Sequence, residues 1–149
     1  MWFILVFSFC CPTFSFKSRK SAILSISAFV YIRKYYFGND IKVIQDYAWF
    51  GNEGYGGDTY EVGKKKANAW GLLDMHGNVC EWVQDWYDPN YYQHSLEVNP
   101  QGVENGQYKV YRGGSWVAKA PLLRSAVRYS GLPTTRSSDI GFRLVREIK

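Results

Sequence analysis

Sulfur is scarce in this chain of 149 residues, which has three cysteines and none after Cys80. Cys10 and Cys11 are adjacent and Cys80 stands alone, a pattern that supplies neither a disulfide framework nor a zinc motif. Cys80 lies in an aromatic segment, where apolar burial keeps a thiol protonated, so it reads as a small buried residue rather than a nucleophile. Acid is missing from residues 1–39, where Lys17, Arg19, Lys20, Arg33 and Lys34 account for the whole net charge of +5. The remainder holds 13 basic and 13 acidic residues. The basic character therefore belongs to the leader and is no nucleic-acid footprint, and the one basic run beyond it, Lys64–Lys66, reads as a solvated turn.

Long apolar runs are missing as well. Trp2 to Cys11 is ten residues and Ala22 to Ile32 is interrupted by Ser25 and Ser27, whereas a bilayer span needs about 20. No basic region precedes the first run, as a signal peptide would require. Residues 1–40 are set apart as an apolar and basic leader, with three readings open: a poor signal peptide or anchor, a membrane-associated hairpin, or a stretch without selected structure from a mis-assigned start. A membrane partner follows only if the leader is a real anchor. The compartment stays open between cytoplasm and export.

What is abundant is aromatic: 18% of residues, with six Trp and twelve Tyr, enough apolar area for one ordinary domain. From residue 41 short apolar pieces alternate with Gly, Asn, Asp and Pro, and neither repeats nor low-complexity tracts interrupt them. Val83–Tyr87 and Lys109–Arg112 read as strands, and Pro121–Arg128 as a short helix or irregular loop. Gly141–Arg146 reads as a final strand with Phe142, Leu144 and Ile148 on a covered face. Arg112, Arg124, Arg128 and Arg143 fit stacking on aromatic rings and bonding to carbonyls better than lining a ligand groove.

Five stretches occur in order: DYAWFGN (Asp46–Asn52), NAWGLLDMHGNVCEWVQDWY (Asn68–Tyr87), VYRGGSW (Val110–Trp116), RSAVR (Arg124–Arg128) and GFRLV (Gly141–Val145). Together they resemble the C-terminal part of the formylglycine-generating-enzyme, or sulfatase-modifying-factor, family. Trp70, Gly71, Gly77, Trp82 and Trp86 fall where that pattern places them, and Cys80 departs by replacing the usual Trp. The resemblance implies an α+β fold, a C-type-lectin-like variant with little regular secondary structure, here over residues 41–149 with its N-terminal half missing.

In the enzymes that name the family, a cysteine pair after GGS binds copper and oxidises a substrate cysteine, and soft Cu(I) requires the thiolates. Ala118 stands at the first of those positions, and the shortened stretch Lys119–Leu123 has no sulfur, which argues against copper chemistry. Relatives that use non-haem iron take histidines from a separate domain. His76 and His94 alone fall short of an iron site and read as a hydrogen-bonding turn residue and a loop residue. Calcium is the cofactor the resemblance supports: its ligand set in this segment falls on Asp74, Gly77, Val79 and Glu81, through a carboxylate, two carbonyls and a glutamate. Glu81, Asp85 and Asp139 suggest no acid–base pair, and Asp139 reads as turn support.

The expected function is a truncated, non-catalytic binding or partnered module whose lectin-like surface takes a protein or small-molecule ligand, with no nucleic acid. Two alternatives stay open: a subunit of a non-haem iron oxidoreductase or sulfoxide synthase whose metal comes from another domain, and a retroelement-diversified ligand-binding protein whose varied surface is Val117–Ile140.

Overall fold

The computed structural model describes residues 33–51, 58–96 and 100–144. Regular elements are short because glycine, asparagine and proline interrupt every apolar stretch. A 3-10 segment, Ile41–Asp46, opens the order, started by the Asp40 carboxylate accepting from the Lys42 amide at 2.9 Å. It leads into β1 (Ala48–Trp49). Next come β2 (His76–Gly77), β3 (Cys80–Trp86), the single helical turn α1 (Tyr91–His94) and β4 (Lys109–Arg112). A second 3-10 turn, Ala120–Leu123, precedes β5 (Tyr129–Gly131) and β6 (Ile140–Gly141).

β1 and β2 pair in parallel, and a second sheet has the order β5-β4-β3-β6. In that sheet β3–β4 and β4–β5 are antiparallel, while β6 runs parallel to β3. Its register places Trp82 opposite Tyr111 and Tyr111 opposite Tyr129. The rings meet accordingly, edge-on at 5.1 Å and stacked at 5.4 Å, the cross-strand aromatic pairing that stabilises half-buried sheets. Val110 and Arg112 alternate with these residues and are buried. Beside them, Lys109 lies over the Trp86 ring at 3.9 Å and donates to the Gln84 carbonyl.

The main apolar cluster joins segments far apart in sequence: Tyr35, Ile44, Ala48, Ala118 and Leu123, flanked by Phe37, Phe50 and Ala120. Tyr35 is buried, and its hydroxyl donates to the Ala120 carbonyl at 2.9 Å. The folded unit thus takes in residues 33–40, the end of the stretch set apart as a leader; residues 1–32 lie outside the described part. Among the described residues no helix is long and apolar enough to cross a membrane.

Lys109–Arg112 is a strand as expected, and the strand anticipated at Val83–Tyr87 is β3, which begins earlier, at Cys80. Pro121–Arg128 forms one 3-10 turn and then irregular chain. The final strand is a correction. β6 pairs with β3 only at Cys80↔Ile140 and Glu81↔Gly141, and the chain beyond it passes the sheet edge, leaving Phe142 and Leu144 64% and 68% exposed rather than covered. Ile148 lies outside the described residues.

Candidate functional site

The segment Asp74–Glu81 is the junction of the molecule. Asp74 and Asn78 adopt φ of 55° and 61°, and Gly77 between them a φ of 77°. Only glycine fits at 77, because a Cβ there would stand 2.1 Å from the Trp49 carbonyl oxygen. The Gly77 amide donates to the Gly113 carbonyl, the Asn78 amide to Trp49, and the Trp116 amide to Asn78. One turn therefore binds β1 on one side and the Gly113–Trp116 segment on the other. The Asn78 side chain adds a pair of 3.0 Å bonds to the main chain of Tyr60.

The four residues of the expected calcium set have different partners. Gly77 is packed into the junction. The Asp74 carboxylate accepts from the Gly63 amide at 2.7 Å through Oδ2, while its Oδ1 is buried without a hydrogen-bond partner. Glu81 is gripped by Arg143: Nε donates to Oε2 at 2.9 Å and Nη2 to Oε1 at 2.6 Å. The same guanidinium donates to the carbonyls of Leu73 and Asp74 at 3.0 and 3.2 Å. These bonds to Glu81, and after them the charge of Asp74, hold the Arg143 proton more tightly than usual against its partial burial. Val79 touches the same edge, since a Cβ on Gly141 would meet its side chain at 3.1 Å.

His76 is buried, and desolvation pushes its imidazole down to about 4. It is therefore neutral near pH 7, with Nε2 accepting from the Tyr36 amide at 3.4 Å and Nδ1 unpartnered. Tyr36 stacks on it at 4.8 Å, while Tyr35 and Phe37 meet it edge-on. This aromatic enclosure was not foreseen; the run Tyr35-Tyr36-Phe37 just before Gly38 was its signal. His94 is exposed at the end of α1. Among the described residues no three His, Cys, Asp or Glu side chains come together as a metal-holding group.

The stretch after Gly113-Gly114-Ser115-Trp116 is structural. Ala118 and Leu123 sit in the apolar cluster, and the Ala118 carbonyl accepts from the Gly51 amide at 2.9 Å. Cys80 is buried beside it, and desolvation, then the Asp139 carboxylate, push its thiol up to about 12 despite hydrogen bonds to Ser115 and Gly114. Asp139 accepts from the Ser115 and Ser137 hydroxyls, bracing the turn into β6. Three other arginines bond to carbonyls: Arg112 to Ser125, Arg124 to Pro121, and Arg128 to Asp88 while lying over the rings of Tyr87 and Tyr92.

Residues 33–148 match the sulfatase-modifying factor enzyme 1-like domain. The chain belongs to that family. Family relatives include a protein named serine/threonine-protein kinase pkn1 of Chlamydia caviae, 40% identical over 64% of this chain and 16% of its own length. The formylglycine-generating enzyme of Streptomyces coelicolor is 37% identical over 60% of this chain and 29% of its own. Among solved structures, Treponema denticola variable protein 1 superposes with a TM-score of 0.63 at 39% identity, covering 70% of this chain and 37% of that one. The sulfatase-modifying-factor fold is thus the α+β, C-type-lectin-like variant expected, with few helices and a curled sheet. The chain spans under a third of the curated relatives' lengths.

Proposed function

We propose that this chain is a binding or partnered module of the sulfatase-modifying-factor family that does not itself carry out the copper-dependent oxidation. One observation supports this above the others: Ala118 and Leu123, in the stretch where the resemblance puts the cysteine pair, are built into the apolar core. A thiolate pair there would need both the sulfur this stretch lacks and access that the packing denies. Cys80 cannot substitute, because its thiol is buried and stays protonated well above neutral pH. The test is incubation of the full chain with Cu(I), oxygen and a cysteine peptide of the kind sulfatases carry, read by mass spectrometry. No aldehyde should form; catalytic aldehyde formation would overturn the proposal.

The likeness to the Treponema variable protein favours a specific version, a diversified ligand surface on Val117–Ile140. Its longest exposed run is the loop 132–138, whose residues all face solvent, whereas Ala118 and Leu123 anchor the stretch. On this reading natural variants differ at Leu132–Ser138 and not at the anchors. Sequencing the gene across related isolates tests it: substitutions spread evenly over anchors and loop would remove the support.

A further inference from the structure

We infer that the guanidinium of Arg143 takes the place of the calcium ion at the Asp74–Glu81 turn, so that this chain folds and holds the turn without the metal its family implies. A calcium ion takes six to eight oxygens and needs carboxylates free to face it. Here both oxygens of Glu81 are engaged by a fork of two N–H donors, at 2.9 and 2.6 Å. That arrangement is the strong, bidentate form of a charge-assisted pair. The same cation reaches two main-chain oxygens at the start of the turn, Leu73 and Asp74. One planar group thus gathers a carboxylate and two carbonyls from both ends of the segment, the cross-linking a bound divalent ion would otherwise perform.

Charge points the same way. Glu81 is paired directly with Arg143, and Lys65, which lies near both Asp46 and Asp74, brings a second cation to the same edge. Lys65 is itself fixed, over the Trp49 ring at 3.5 Å and bonded to the Gln45 carbonyl. A divalent ion added beside two immobilised cations would leave uncompensated positive charge in a half-buried place, which is costly. Of the four carboxylate oxygens of the set, the unpartnered Asp74 Oδ1 is the one left facing no donor, and one carboxylate oxygen does not make a calcium site.

The experiment uses the full chain stripped with EDTA and then titrated with calcium chloride, read by calorimetry and thermal melting. The expected result is no stoichiometric binding up to millimolar calcium and an unchanged Tm. One equivalent of calcium bound by the wild-type chain with a rise in Tm would overturn the inference. Arg143→Met supplies the second arm: it frees Glu81, lowers the Tm and makes it calcium-responsive. Should that variant not fold, Arg143→Lys, which keeps the charge but loses the fork, is expected to melt lower than wild type. A Tm for Arg143→Lys equal to wild type in EDTA would show that the fork does not hold the turn.

Discussion

Two segments of similar texture, Val110–Trp116 and Gly141–Leu144, end in opposite conditions. Each sets one arginine among apolar residues and glycine. In the first, Val110 and Arg112 are buried in β4, which lies in the middle of its sheet, between β3 and β5. In the second, Arg143 is the residue drawn inward, and its apolar neighbours Phe142 and Leu144 stand mostly in solvent. Alternation specifies that a strand has two faces. It does not say which face meets a layer, and at the sheet edge the face that matters is the one bearing the charge.

The contrast can be broken or sharpened by substitution. The largest effect is expected at the junction that serves the buried side: Gly77→Ala should cost about 4 kcal/mol or more, since its Cβ would collide with the Trp49 carbonyl. Circular dichroism and denaturant melts would show a chain unfolded or nearly so, and near-wild-type stability would mean the junction is looser than its geometry. Leu123→Ala, at a residue fully buried against Ala118 and Gly114, should lose about 3 kcal/mol in urea unfolding. Tyr35→Phe removes the hydroxyl bond to Ala120 and should cost about 1 kcal/mol. It thereby tests whether residues before 41 belong to the cooperative unit.

On the edge, Phe142→Ser should change stability by less than about 0.5 kcal/mol; a loss comparable to Leu123→Ala would show that the edge is covered in solution. The smallest effect concerns Asp85, whose carboxyl is raised by burial in spite of Arg112, Arg128 and Lys109. A raised folded pKa means the folded state takes up the proton first, so the contribution of Asp85 to stability is lost as pH rises through that pKa. Asp85→Asn should therefore flatten the acid side of the stability–pH curve without lowering stability at pH 7.

Much of the fold was legible because its punctuation is local. Gly113-Gly114 is a turn whose chemistry is written in its residue type, and β4 was found with its boundaries intact. The absence of any cysteine after Cys80 was legible too, since it needs no geometry. Two things were not. The enclosure of His76 by Tyr35, Tyr36 and Phe37 depends on a contact across some 40 residues, and aromatic runs near a terminus look alike whether they are packed or free. The hold of Arg143 on Glu81 spans a still longer separation. A list of oxygen-bearing residues names what can bind a cation, and only the fold shows that the Arg143 side chain reaches Glu81.

The meeting of Trp49, Gly77–Asn78 and Gly113–Trp116 also bears on how the chain reaches its structure. None of these partners is near another in sequence, so the seam closes only after two long loops have been drawn together, and that loop-closure entropy must be met before the contacts repay it. Folding should therefore be slow for a chain of this size. Early in that search its aromatic segments stand unprotected, so the refolding yield should rise on dilution.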